Sequence, residues 1–316
     1  MEPATRELRP STAGEREATV ASTGGEPAVT FADAVTPYVA YTLVDKLLTL
    51  QQPRSTQHDE MTFFISGQVM ELLFKLAVNE VGEARDKIDS DDVETGIGLL
   101  RRVVTTEHLL VNVWPLLDTL SPNQYNGFRD ALGKASGFQS YMYRTLEFIL
   151  GNKDPNMLKP HRAMAGIYQE LLGVFNAPSV WDSTTVLLKR RGYEISPDHL
   201  GRDVTRPYTP DESVEQAWLA VYRANDPGDP LYRLGEVLME IASAFSEWQM
   251  KHLVTVERLI GRKVGSGGTA GVGWKSHRQS PVPRALVCSH IAVTKAHHDG
   301  QALDGRRAAA AARGNG

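Results

Sequence analysis

The stretch Met61-Thr-Phe-Phe-Ile-Ser-Gly-Gln-Val-Met-Glu-Leu-Leu-Phe-Lys-Leu-Ala-Val-Asn-Glu-Val81 decides the fold. Phe63, Gly67, Met70, Phe74, Val78 and Val81 fall along one stripe at helical spacing, and Phe64, Leu72 and Leu76 widen it. An apolar stripe that broad, with a period near 3.6, marks a helix packed into a core.

Working outward, the same periodicity runs through residues 93–117, 122–132, 137–150, 163–174, 214–223 and 230–263. Breakers such as Ser121-Pro122, Gly151-Asn152, Ala177-Pro178 and Asp226-Pro227 punctuate these segments. Strand-like alternation is nearly absent. The pattern predicts an all-α fold of long antiparallel helices around one core.

The two ends differ from this middle. Residues 1–30 are rich in Pro, Gly, Ser, Thr, Glu and Arg and offer too little apolar surface to offset their ordering entropy, so they read as a disordered arm. Beyond Trp274 the chain has no Glu, mixes Lys, Arg and His with small residues and finishes GRRAAAAARGNG, so residues 275–316 read as a disordered tail. One all-α domain over residues 31–274 is expected between them.

Composition excludes several classes. With 34 Lys+Arg against 38 Asp+Glu, the 316-residue chain lacks the strongly basic face of a nucleic-acid binder. Cys288 is the single cysteine, so no intramolecular disulfide and no zinc-binding thiolate pair can form. No apolar run approaches the roughly 20 residues of a membrane span, and the N-terminus lacks the apolar stretch of a signal peptide. The expectation is a cytoplasmic protein with no membrane or nucleic-acid partner.

Few residues invite chemistry on their own. His252 lies on an apolar helical face with Trp248 one turn before it and Val256 and Leu259 after it. Such a histidine is either a satisfied core residue or an axial haem ligand, since a neutral imidazole ligates haem iron. Arg129 follows Tyr125 by four residues, which puts guanidinium and phenol on one helical face. That pair is either a carboxylate clamp or part of a solvated surface.

The run Gly265-Ser-Gly-Gly-Thr-Ala-Gly271 follows a helix rather than a strand, so it is no dinucleotide loop. Its backbone N–H groups and the hydroxyls of Ser266 and Thr269 suit a loop that closes over a ligand, and a plain helix-ending linker is the alternative. His58-Asp59-Glu60 gives no metal site, because three consecutive side chains diverge, and Asp59 is expected to cap the following helix. There is no Gly-x-Ser-x-Gly elbow, and Cys288 lies in the tail.

Taken in order, the pieces become specific. Tyr38-Val-Ala-Tyr41, Gln51-Gln-Pro53, His58-Asp-Glu-Met61, Tyr125-Asn-Gly-Phe-Arg129, Ser136-Gly-Phe-Gln-Ser140, Leu146-Glu-Phe-Ile-Leu-Gly-Asn-Lys153 and His252-Leu-Val-Thr-Val-Glu-Arg-Leu-Ile-Gly261 precede the glycine-rich loop. Over about residues 33 to 274 the chain resembles the tryptophan 2,3-dioxygenase family of all-helical haem enzymes.

The resemblance implies haem b as cofactor, O2 as co-substrate, tryptophan or a substituted tryptophan as substrate, and a homotetramer. It makes His252 the expected proximal ligand of the haem iron and Arg129 the partner of the tryptophan carboxylate. Ser266 stands where the family usually has a threonine contacting the amino-acid group. Phe63 and Tyr125 fall on positions lining the indole pocket, and Ser136 on the position beside the haem. Tyr38 and Tyr41 are expected to reach a neighbouring subunit's site.

Two departures stand out. The family places a distal-pocket histidine four residues after the phenylalanine, where this chain has Gly67, and Leu73 replaces a common tryptophan. Glycine costs about 1 kcal/mol relative to alanine inside a helix, and here it also removes the imidazole facing the indole. The chain departs again after Trp274, where a genuine truncation and a frameshift would each give such a tail.

Gly67 therefore tilts the expectation towards insertion of one oxygen atom, giving a 2-oxindole in specialised metabolism. The alternative is ring-opening dioxygenation to N-formylkynurenine, and a third reading is a non-catalytic protein that binds haem or tryptophan.

Overall fold

A computed structural model describes residues 10–27, 35–206 and 208–261. These divide after Pro53 into two compact units. The boundaries expected at 30/31 and 274/275 lie outside the described residues, as does the tail.

The first unit contains α1 (Ala13–Thr23), α2 (Pro37–Thr42) and α3 (Val44–Leu47). The first of these lies within the segment expected to be a disordered arm. Thr12 and Glu15 form a reciprocal capping box that satisfies the first free amides of α1, although the helix buries no residue.

The second unit begins with α4 (Glu60–Asp89), continues through α5 (Val93–Asp118), α6 (Pro122–Arg129) and α7 (Tyr141–Ile149), and then α8 (Ala165–Asn176) and α9 (Val180–Arg190). It ends with α10 (Pro197–Leu200), α11 (Glu212–Ala224) and α12 (Pro230–Ile260). No strand occurs among the described residues. The all-α expectation holds.

Of the predicted stripe on α4, Met70, Phe74 and Val81 are buried, joined by Ala77, Ala84 and Ile88, whereas Phe63, Phe64 and Val78 are only partly buried and Gly67, Leu72 and Leu76 are exposed. The short link of residues 90–92 folds α5 back antiparallel to α4, with Asp92 capping α5 through the Thr95 amide and Glu80 paired to Arg102 at 2.6 Å. α12 packs along α5, but these two run parallel. Arg233 pairs with Glu94 near their starts, and Thr255 Oγ1 donates to Asp118 Oδ1 at 2.7 Å near their ends. The intervening helices α6 to α11 return the chain to the start of α5, so the bundle is only partly antiparallel.

At about 1.5 Å per residue, α4 and α12 each extend roughly 45 Å. α4 is also long and apolar enough, by length and composition, to cross a membrane. Counting unbroken apolar runs misses this, because Glu71 and Lys75 interrupt the stretch. Gly235 is needed where α11 crosses α12: a Cβ there would meet the Trp218 ring and the Tyr222 hydroxyl at 2.9 Å each.

Several local features depart from the sequence reading. The segment 137–150 is two elements, a 3-10 turn over Gly137–Gln139 and then α7, separated where Ser140 caps α7 through the Tyr143 amide. Asp59 makes no side-chain cap on α4; it accepts instead from Gln124 Nε2 of α6 at 3.1 Å. The buried carboxylate beside it is Glu60, which accepts from the backbone amides of Arg54 and Ser55 at 2.8 and 2.7 Å. Burial pushes the Glu60 pKa up, but these donors outweigh it and the net direction is down.

Candidate functional site

The aromatic residues of the second unit gather in two nests along one face of α4. In the first, Phe63 packs against Tyr125 and Phe128 of α6, with ring centroids 5.7 and 5.6 Å away. In the second, Phe74 meets Tyr143 of α7 at 5.5 Å and Trp248 of α12 at 5.4 Å. Trp248 in turn contacts Trp114 of α5 and His252 at 5.5 and 5.6 Å.

Gly67 lies on the same helix between Phe63 and Phe74, which are about 16 Å apart along the axis. A Cβ built on Gly67 meets nothing within 4 Å. The glycine thus leaves open space on α4 between a wall of Phe63, Tyr125 and Phe128 and a nest that holds an imidazole.

That imidazole is firmly placed. Trp114 stacks on His252 with centroids 4.9 Å apart and planes 11° apart. The end of α12 is tied to the α5–α6 connection, where Arg258 Nη1 donates to Leu120 O at 2.9 Å and also to Asp118 O. The residues that fix α12 therefore also fix the start of α6.

On α6, Ser121 and Gln124 form a capping box around Pro122. This sets Tyr125 and Arg129 one turn apart, Tyr125 buried and Arg129 the last helical residue. Burial raises the Tyr125 pKa, and the Arg129 charge beside it pulls the other way. Ser136 caps the Gly137–Gln139 turn: its hydroxyl accepts from the Phe138 amide at 3.3 Å, and its own amide donates to Gln139 Oε1 at 3.3 Å.

The described residues thus bring Phe63 against Tyr125, place Arg129 beside Tyr125, and stack His252 in the second nest. Tyr38 and Tyr41 are exposed on α2 in the first unit. Ser266 lies outside the described residues. Sequence reading did not single out Trp114, Phe128 or Tyr143; each contacts a partner on another helix, which helical periodicity cannot report.

The chemistry of the second nest suits a large acidic planar group. Trp114 Nε1 is a buried donor without a hydrogen-bond acceptor among the described residues, and a bound carboxylate would satisfy such a donor. The imidazole of His252, held among flat aromatic rings, would offer a nitrogen of the kind that ligates haem iron.

Another cleft, of about 160 Å³, lies between α9 and residues 199–204 and includes Asp182, Ser183, His199 and Arg202. Its charges already serve each other. Arg202 pairs with Asp182, and the other Asp182 oxygen accepts from the Ser179 hydroxyl at 2.6 Å.

The sequence pattern of the family described as tryptophan 2,3-dioxygenase matches residues 24–176 and 169–281. The chain belongs to the tryptophan 2,3-dioxygenase family. Among its relatives is the tryptophan 2,3-dioxygenase of Burkholderia pseudomallei, 44% identical over 234 residues, which are 74% of this chain and 76% of that protein. The tryptophan 2,3-dioxygenases of Burkholderia cenocepacia and Burkholderia ambifaria are each 43% identical over 74% of this chain, covering 75% and 76% of their own lengths. The family match spans both aromatic nests, α6 and the helix that carries His252.

Proposed function

We propose that this member of the tryptophan 2,3-dioxygenase family is a haem-dependent enzyme that uses O2 to open the indole ring of L-tryptophan, giving N-formylkynurenine. Family membership makes it an O2-using oxidoreductase. The observation that carries the fuller reading is the His252 imidazole stacked on Trp114, on the helix bundle that also sets the aromatic wall of Phe63, Tyr125 and Phe128. The names of the relatives favour ring opening over the single-atom insertion expected from Gly67.

In this reading His252 would hold the haem iron, and the buried Trp114 N–H would be a donor for one of the haem's acidic groups. Bound ferrous haem supplies O2 activation. The chain supplies position. Arg129 binds the substrate carboxylate with its planar guanidinium, and Phe63, Tyr125 and Phe128 hold the indole and keep water from it. Ser136 offers a hydroxyl beside the haem, and Ser266 contacts the substrate's amino-acid group.

Gly67 supports a second reading. Open space in place of a distal imidazole suits a tryptophan carrying an added group, or insertion of one oxygen atom to give a 2-oxindole. Product analysis separates the two. Haem-loaded protein given L-tryptophan and O2 should yield N-formylkynurenine as the main product, whereas predominant oxindole would support the second reading and no turnover would refute both.

The proposal extends to a cytoplasmic homotetramer in which Tyr38 and Tyr41 reach a neighbouring site. On α4, Ile65, Val69, Leu72 and Leu76 form an exposed apolar row, a surface suited to self-association. Light scattering on the full chain should give four times the monomer mass, and a monomer would remove this part.

A further inference from the structure

Behind the turn that carries Ser136 lies a buried ion pair. Arg144 and Glu147, three residues apart on α7, are 3% and 1% exposed and pair directly. Arg144 Nη2 also donates to the Phe138 carbonyl at 3.2 Å. Its guanidinium lies over the rings of Phe138 and Tyr143, 5.1 and 4.8 Å from their centroids. Glu147 Oε1 accepts from Asn152 Nδ2 at 3.2 Å, and Tyr143 OH accepts from Gln249 Nε2 of α12 at 3.1 Å.

Stability does not explain such a pair. Removing two ions from water commonly costs more than their attraction returns, so an apolar pair of similar volume serves a core as well or better. What the pair adds is direction. Glu147 and the two rings fix the plane of Arg144, and that plane aims an N–H at the Phe138 carbonyl. The Phe138 amide in turn donates to the Ser136 hydroxyl. Holding this one residue's backbone from both sides therefore fixes where Ser136 points.

Neighbouring groups agree with this arrangement. His161 is fully buried, and burial, then the Arg144 charge, lower its pKa. At the far end of the turn, burial raises the pKa of Glu71 on α4 and the nearby Ser140 side chain lowers it.

We propose that Glu147 is a positioning residue: through Arg144 and Phe138 it sets the Ser136 turn against α7, and through Tyr143 the same cluster is tied to the helix that carries His252. The catalytic consequence rests on the function proposed above, whereas the positioning itself does not.

The test replaces the pair with the apolar double variant Arg144→Met/Glu147→Leu in the full chain, beside the single variant Glu147→Gln. In haem-free protein, hydrogen exchange should rise about tenfold or more at amides 137–140, with exchange in α5 and the thermal midpoint of the double variant close to wild type. In haem-loaded protein, kcat for tryptophan should fall about tenfold while KM stays within about twofold, because Arg129 and the aromatic wall lie outside the turn.

Wild-type exchange at residues 137–140 in a folded double variant overturns the proposal. If only the double variant unfolds, raised exchange confined to the turn in Glu147→Gln supports it and unchanged exchange overturns it. Unfolding of both variants also overturns it, since the pair would then serve the whole fold. Raised exchange without any tryptophan turnover in wild type would leave the positioning standing and sink the enzymatic reading alone.

Discussion

Trp114 and His252 stack nearly parallel across two helices, 11° apart in plane and 4.9 Å between centroids. Their meeting follows from the parallel register of α5 and α12, pinned by Glu94 with Arg233 at one end and Asp118 with Thr255 at the other. The flat indole restricts rotation of the imidazole, so His252 is oriented before anything binds.

From this follows the first prediction. His252→Ala, purified with haem supplied, should lack the Soret band of the wild-type protein, and added imidazole should restore it. A variant with the native spectrum and no added imidazole would show that another residue holds the iron.

Arg129 carries the second. A charge-assisted bidentate contact contributes about 1.5 to 3 kcal/mol, so Arg129→Leu should weaken tryptophan binding roughly 10- to 150-fold. Indole, which has no carboxylate, should lose little. Titration of both ligands decides the matter, and equal losses would rule out the clamp.

Glu107 gives a prediction about stability. It is buried in α5 with neither oxygen hydrogen-bonded, and burial holds its pKa well above the ordinary carboxylate value. Between the unfolded pKa and that raised value the folded state binds the extra proton, so stability falls as pH rises through this window. Glu107→Met should therefore raise the melting temperature at neutral pH, with the gain shrinking towards pH 4. Equal gains at all pH values would mean that Glu107 is not titrating out of register with the unfolded chain.

Gly67→His tests the open face of α4. Histidine has the better helix propensity by a few tenths of a kcal/mol, and a Cβ at this position meets no neighbour within 4 Å. The variant should fold and load haem normally, make N-formylkynurenine faster, and accept ring- or β-substituted tryptophans less well. Unchanged rates and preferences in haem-loaded protein would mean that the glycine has no bearing on the reaction.

How much of this was legible depends on what each residue touches. The α4 helix was readable from its period, and so were Met70, Phe74 and Val81 on its inner face, whereas the exposure of Leu72 and Leu76 was not. By contrast, α9 went unseen: its buried Ser183, Thr184 and Thr185 blur the apolar period, and only the Ser179 to Asp182 capping box announced it. Asp59 was read as a cap from its immediate neighbours, whereas its partner Gln124 comes from another helix.

The candidate site divides the same way. His252 and the Tyr125 to Arg129 pair were visible as local patterns. The stacking on Trp114 and the grip of Arg144 on Phe138 arise where separate segments meet, and no local period encodes them. Nothing local in the sequence marks Glu107 as buried, yet it is 1% exposed in α5.

The most direct test of the central claim is mass analysis of the product formed by haem-loaded protein from L-tryptophan under isotopically labelled O2. The account predicts N-formylkynurenine carrying two labelled oxygen atoms. A product with one labelled atom at the indole C2 position, or no labelled product at all, would contradict it.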